Sequence, residues 1–305
     1  MTKKLFVMLL LIATGTLSCE DRNPIDEEQY FKQLYIVGSH HTQIVTKFDI
    51  QYSAAPQSAY ISVAIGGSLN VDHDVSVTLA HNSSAIEWYN NKYMWNQPAR
   101  YQALDASLYS IPSMTTTIKA GKTYARLPFT VNTGGLHCDS LYALAFEIAS
   151  ASDYTVAAVD TMLILNFNLL NSYSGSYQLS AVKYALEDTA AAPATGEWKE
   201  TLPIALNAPR ALTATGEHKV RFFNEAKAET REGYESNEAY FAAIDSACVT
   251  FTLLEGDLFA IGAWKPLALD IADAGRCTYA NGAFTFWYDY MDKQARYRIR
   301  GTLKK

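Results

Sequence analysis

The 305-residue sequence is short of most features that announce a chemistry. Beyond residue 13 no apolar run approaches the roughly 20 residues that a membrane-spanning helix needs. Cysteine is scarce. Apart from Cys19 there are Cys138, Cys248 and Cys277, widely spaced and without a C-x-x-C pair, so no recognisable zinc or dithiol pattern is present. Cys248 and Cys277 either pair or sit buried as small apolar residues. Positive charge is scarce too. Without residues 1–18, which hold Lys3 and Lys4 and no acid, 23 basic and 31 acidic residues remain, a net charge of −8. That balance argues against a nucleic-acid ligand, which needs a basic face, and against an electrostatic hold on anionic lipid. A neutral or cationic partner is the expectation.

Catalytic patterns are missing as well. There is no G-x-S-x-G, no H-E-x-x-H and no phosphate-cradling glycine loop. His40 and His41 are adjacent, so on a strand they point to opposite faces and cannot share a metal. His73, between Asp72 and Asp74, reads as part of a solvated turn. A pair of glycosidase carboxylates needs no fixed spacing in sequence and leaves no motif. The expectation is a protein that is not an enzyme, with no cofactor and no metal.

What is present begins at the N-terminus. Lys3 and Lys4 precede nine uninterrupted apolar residues, Leu5 to Ala13, the length of an export-signal core. The stretch TLSCED follows, with Cys19 backed by Glu20 and Asp21. Residues 1–18 resemble a bacterial lipoprotein signal, in which the cysteine thiol is lipidated, although Thr16 and Leu17 stand where Leu and a small residue are usual. The acidic pair resembles the signal that carries Bacteroidetes lipoproteins to the outer face of the outer membrane. The resemblance implies Cys19 as the anchor, acyl chains being worth about 0.8 kcal/mol per buried CH₂. Residues 19–32, acidic and carrying Pro24, then read as a tether, and the membrane is met through the lipid alone.

From Gln33 apolar residues recur with period two, the strand signal. Ile61, Val63 and Ile65 share a face, as do Val75, Val77 and Leu79, then Leu127, Phe129 and Val131, and then Leu144, Phe146 and Ile148. About seven strands over residues 33–168 have the rhythm of an immunoglobulin-like β-sandwich. A break at Asn168 to Ser174 precedes a second half, residues 173–305. It closes with a strong hairpin around Asn281-Gly282, the pair best suited to a type I′ turn. The last strand alternates Tyr297, Ile299 and Leu303 inward with Arg296, Arg298 and Arg300 outward. Residues 223–247, rich in Glu and Ala, read as a short helical excursion. The expected fold is therefore all-β: a sandwich followed by a lipocalin-like barrel, or by a second sandwich.

These features together resemble the two-domain surface lipoproteins of Bacteroidetes encoded beside carbohydrate-uptake systems, with an immunoglobulin-like N-terminal domain of unknown function and a lipocalin-like C-terminal domain. The likeness rests on Gln33-Leu34-Tyr35-Ile36-Val37-Gly38, on Ala85-Ile86-Glu87-Trp88-Tyr89-Asn90-Asn91, on Tyr101-Gln102-Ala103-Leu104 with Tyr109-Ser110-Ile111, and on Ile118-Lys119-Ala120-Gly121 leading into Leu127-Pro128-Phe129. It spans roughly residues 30–165. Tyr173-Ser174-Gly175-Ser176-Tyr177 and Tyr297-Arg298-Ile299-Arg300-Gly301 extend it into the second half. One strand departs, with Tyr142-Ala143-Leu144-Ala145 where the family usually has Tyr-Leu-Pro-Leu. The resemblance implies a polysaccharide or host glycan as ligand and an outer-membrane transporter as associate.

A saccharide offers an apolar CH face and a polar rim, so its site needs an exposed aromatic platform with polar neighbours. With 20 Tyr and 5 Trp the chain supplies these easily. In the first half Tyr93 and Trp95, expected in a loop after a helix that carries Tyr89 toward the core, are the candidates. In the second they are Trp198, Trp264 and Trp287, the last facing outward with Thr285 and Asp289. The second half is the expected ligand-binding half. A structural or adhesive surface protein is the alternative, and a lipid-anchored hydrolase the third.

Overall fold

The computed structural model describes residues 27–40, 44–188, 198–225 and 227–305. The N-terminal signal, Cys19, the first part of the tether and His41 lie outside the described residues. The first half runs through β1 (Gln33–Ile36), β2 (Val45–Gln51), β3 (Gln57–Gly66), β4 (Val75–His81), helix α1 (Ser83–Tyr93), β5 (Tyr101–Ala103), β6 (Tyr109–Ser110), β7 (Thr115–Ile118), β8 (Tyr124–Val131), β9 (Leu141–Ala151), β10 (Thr155–Val156) and β11 (Met162–Leu170). Two sheets face each other, one in the order β10-β1-β3-β8-β6 and the other in the order β2-β11-β9-β4-β7, with β5 beside β9. The period-two residues do what their spacing demands. Ile61 and Val63 of one sheet meet Leu144 and Phe146 of the other in a single buried core.

The outer face of the second sheet is covered as well. Helix α1 starts at Asn82, whose side chain accepts a hydrogen bond from the Ala85 amide at 3.2 Å. It buries Ala85 and Ile86 against Ala143, Ala145 and Ile164. This explains the departure noted at β9. A strand buried on both faces loses its alternation, and alanine at 143 and 145 leaves room for the helix. Tyr93 is the last residue of α1 rather than part of the loop beyond it.

Four residues, Asn171 to Ser174, join the halves. The Asn171 side chain donates to the carbonyls of Gly216 (2.7 Å) and Lys219 (2.8 Å), stitching the link to the second half. That half contains β12 (Gly175–Asp188), β13 (Trp198–Gly216), β14 (Lys219–Phe223), helix α2 (Asn237–Ala247), β15 (Cys248–Glu255), β16 (Leu258–Ala263), β17 (Asp270–Ala280), β18 (Ala283–Asp292) and β19 (Ala295–Lys304). The eight strands close in sequence order into a barrel, β19 pairing back onto β12. Of the two forms expected, the barrel is the one adopted. Asn281 and Gly282 both have positive φ, at 52° and 77°, and make the two-residue turn between β17 and β18.

Eight strands enclose a space just wide enough for side chains, and here aromatic rings fill it. Phe222, Phe251, Phe259, Phe284, Phe286 and Tyr288 pack against one another inside. Near one end Lys183 pairs with Glu225 at 2.6 Å and lies over the Tyr297 ring at 4.2 Å, while the Tyr290 hydroxyl also donates to Glu225. The barrel interior is therefore a packed core. Cys248 and Cys277 are buried free thiols. Burial pushes the Cys248 thiol up to about 12, so it stays neutral.

Candidate functional site on the barrel exterior

Alternation puts Phe284, Phe286 and Tyr288 of β18 inside the barrel and Thr285 and Trp287 outside. Pairing then sets their neighbours. The Asn281-Gly282 turn places Ala280 opposite Ala283, so Arg276 falls opposite Trp287 and Thr278 opposite Thr285. On the other side Trp287 is opposite Arg300 and Thr285 opposite Thr302. Thr302 is in turn opposite Ser180, and Ser180 opposite Asn207. Two rows thus cross the outer surface side by side. One reads Arg276, Trp287, Arg300; the next reads Thr278, Thr285, Thr302, Ser180, Asn207.

A groove of about 660 Å³ lies over these rows. Its walls include an indole, two guanidiniums, hydroxyls and one carboxamide, set among apolar residues such as Val182 and Ala205. That set can stack on an apolar ring face and hydrogen-bond a polar rim. Trp287 is held in place. Arg298 lies over its ring, 4.7 Å from the centroid, and is itself fixed by Asp289, a carboxylate with 0% exposure that also receives Arg296. On the other flank β17 bulges between Asp270 and Arg276. Gly275, at φ +55°, presses against Trp287 there. A Cβ at Gly275 would sit 2.0 Å from the Trp287 carbonyl oxygen and 2.7 Å from its ring. Asp273 accepts the Gly275 amide at 2.9 Å and shapes the bulge. Trp287 lines the groove and Arg298 does not, so the guanidinium backs the indole and the groove meets its remaining surface.

The other candidate aromatics are placed differently. Trp198 opens β13 with the Arg296 guanidinium 4.6 Å from its ring centroid and does not line the groove. Trp264 faces the first half. Arg221 lies over its ring at 4.5 Å, His137 meets its edge at 6.0 Å, and Arg221 makes a two-pronged ion pair with Asp139 of the sandwich at 2.8 and 2.5 Å. Trp264 is therefore part of the seam between the halves rather than a free platform. Tyr93 and Trp95 are exposed, Trp95 at 69%. Tyr93 packs beside Trp88 and Tyr89 with Lys92 over its ring at 5.0 Å, while the Trp95 carbonyl accepts from Arg100. The structure does not bring these two together with the groove residues.

Among the described residues the one cluster with metal-ligand atoms close together is His137, Cys138 and Asp139. Its donors are already committed. Asp139 is bonded to Arg221. Burial pushes its carboxyl up, but the Arg221 hydrogen bonds and charge outweigh that and hold it below the ordinary value. Burial also pushes the Cys138 thiol up to about 11, so it is neutral as it stands beside Asp139. His73 sits between Asp72 (2.6 Å) and Asp153 (3.0 Å), with the Asp72 hydrogen bond raising its pKa first among the causes.

Sequence reading picked out Trp287 and its outward direction, and missed Arg276, Asn207 and the threonine row. The signal for them lay in the turn. A two-residue loop fixes the register of β17 on β18, and with it the partner of every outward residue. The chain as a whole is acidic, yet no carboxylate lines the groove, because net charge averages over a surface that is locally uneven.

Comparison with known proteins agrees with this architecture. A family model described as an N-terminal domain matches residues 30–155, and one described as C-terminal matches residues 161–304. A protein of unknown function from Bacteroides ovatus shares the fold at 15% identity and a TM-score of 0.62, over 90% of this chain and 94% of its own. A multidomain protein including DUF1735, from the same organism, follows at 15% identity and 0.61, with the same coverage. An auxiliary nutrient binding protein from Bacteroides thetaiotaomicron is similar at 14% identity and 0.56, over 86% of this chain and 91% of its own. No curated protein matches. The chain thus pairs an N-terminal and a C-terminal domain of the kinds these two models describe, over residues 30–155 and 161–304, as a β-sandwich and a closed β-barrel.

Proposed function

We propose that this protein is a non-catalytic saccharide-binding protein, held at the cell surface by a lipid on Cys19, that captures glycan for an outer-membrane uptake system. The observation that carries the reading is the row of Arg276, Trp287 and Arg300 beside a row of hydroxyls and an amide, open along a groove on the barrel exterior. An indole whose place is fixed before binding loses little freedom when a sugar ring stacks on it. The packed barrel interior also favours an exterior site. The likeness to an auxiliary nutrient binding protein from Bacteroides thetaiotaomicron supports the same reading. The sandwich and tether then act as a spacer that holds the groove away from the membrane.

The test is a glycan-array screen of the chain from residue 20 onward, followed by affinity electrophoresis on the hits. Saturable binding that is lost in Trp287→Ala is the expected result. Silence across plant, host and microbial glycans would overturn the reading and favour a protein partner. Lipidation is tested separately, by labelling cells with a radioactive fatty acid and comparing the native chain with Cys19→Ala.

A further inference from the structure

We propose that the ligand of this groove is an acidic saccharide, a glycan bearing carboxylate or sulfate groups, and that Arg276 is the residue that reads its charge. The inference rests on the saccharide reading above and narrows it.

Three observations carry it. Two guanidiniums and no carboxylate line the groove of a chain whose formal net charge is −6. They stand directly across from Trp287 on the two neighbouring strands. Strand spacing sets their Cα atoms about 10 Å apart, so groups on either side of a ring stacked on the indole meet one arginine or the other. The two are also not equivalent. Arg300 is already engaged: its guanidinium lies 4.8 Å from the Tyr184 ring centroid, donates to the Tyr184 hydroxyl at 3.2 Å and pairs with Glu200 at 3.0 Å. Arg276 is exposed and forms no ion pair or hydrogen bond among the described residues. An unpaired guanidinium beside an aromatic platform presents five donors in a planar fork, which matches a carboxylate or sulfate. A site for neutral sugar needs no such group. Two acids of the neighbouring strands are committed elsewhere: Asp289 is buried beneath Arg296 and Arg298, and Glu200 is paired with Arg298 and Arg300. Asp273 turns to the bulge amide.

The experiment is calorimetric titration of the chain from residue 20 onward with matched pairs. Polygalacturonate is compared with its fully methyl-esterified form, and dextran sulfate with dextran. The expected result is that the acidic member of one pair binds at least about tenfold more tightly, as one charge-assisted contact supplies. Arg276→Gln should bring it down to the level of the neutral member. Whichever pair shows the preference identifies carboxylate or sulfate as the group read. The preference should shrink as salt is raised while the residual neutral binding persists. Equal affinity within both pairs, or an acidic preference untouched by Arg276→Gln, would overturn the inference and leave the saccharide reading standing. Binding to neither member of any pair, with silence on the array, would remove both.

Discussion

Three tryptophans in this molecule, Trp264, Trp287 and Trp198, carry an arginine over the ring and an aspartate holding the arginine, and the first two make the sharper contrast. In one set Asp139 holds Arg221 over Trp264; in the other Asp289 holds Arg298 over Trp287. The local chemistry is nearly the same and the roles differ. Arg221 is 6% exposed because the sandwich closes over it, and its carboxylate comes from the opposite domain. Arg298 and Asp289 come from neighbouring strands of a single sheet, and beyond Trp287 lies open groove. An arginine-backed indole is thus a joint where a second domain covers it and, in the function proposed above, a platform where nothing does. What lies across the ring decides.

The largest effect expected from breaking this comparison is at the joint. Asp139→Ala leaves Arg221 buried without its partner. That should cost about 3–5 kcal/mol and lower Tm by roughly 10 °C in calorimetry, with saccharide affinity unchanged. The pair has a pH signature too. The Asp139 carboxyl is held below its ordinary value of 3.8 when folded. The stability it contributes is therefore full above that value and is lost as pH falls through the lower, folded one. The wild type should lose stability there and Asp139→Ala should not.

Gly275→Ala sharpens the other side. It forces a side chain into the left-handed region and into the Trp287 backbone. The expected loss is about 1–3 kcal/mol, and binding should weaken with it although no groove contact is removed. Trp287→Ala should separate the two quantities. Half-buried on the surface, the residue should cost about 1 kcal/mol in denaturant titration and abolish saturable binding. Trp264→Ala should do the reverse, lowering stability by a similar amount and leaving binding intact. Smallest of all, Trp95→Ala should change stability by less than about 0.5 kcal/mol and leave affinity as it was.

Much of the fold was legible in the sequence because both halves keep strict alternation where one face is wet. Ile61, Val63 and Ile65, or Phe284, Phe286 and Tyr288, declare their faces by spacing alone. Reading fell short where a second layer intrudes. Leu144, Phe146 and Ile148 share the core face as their spacing indicates, but the burial of Ala143 and Ala145 beneath helix α1 has no local signal. Trp264 looked available because its cover comes from His137 and Asp139, more than a hundred residues away in the chain. The groove itself was half legible. Trp287's outward direction followed from its neighbours, and its facing residue Arg276 follows from counting back across Asn281-Gly282. The closure of β19 onto β12, which adds Ser180 and Asn207, has no such local signal. It depends on barrel closure between strands far apart in sequence.

The most direct test of the exterior groove uses the five tryptophans as reporters. Each contributes one indole N–H resonance, assigned by single Trp→Phe changes, and the tightest saccharide from the array is titrated while all five are followed. The account predicts that the Trp287 resonance shifts in proportion to occupancy while Trp88, Trp95 and Trp264 stay still. A saturable shift of Trp88 or Trp95 with Trp287 unmoved would place the site on the sandwich and contradict it.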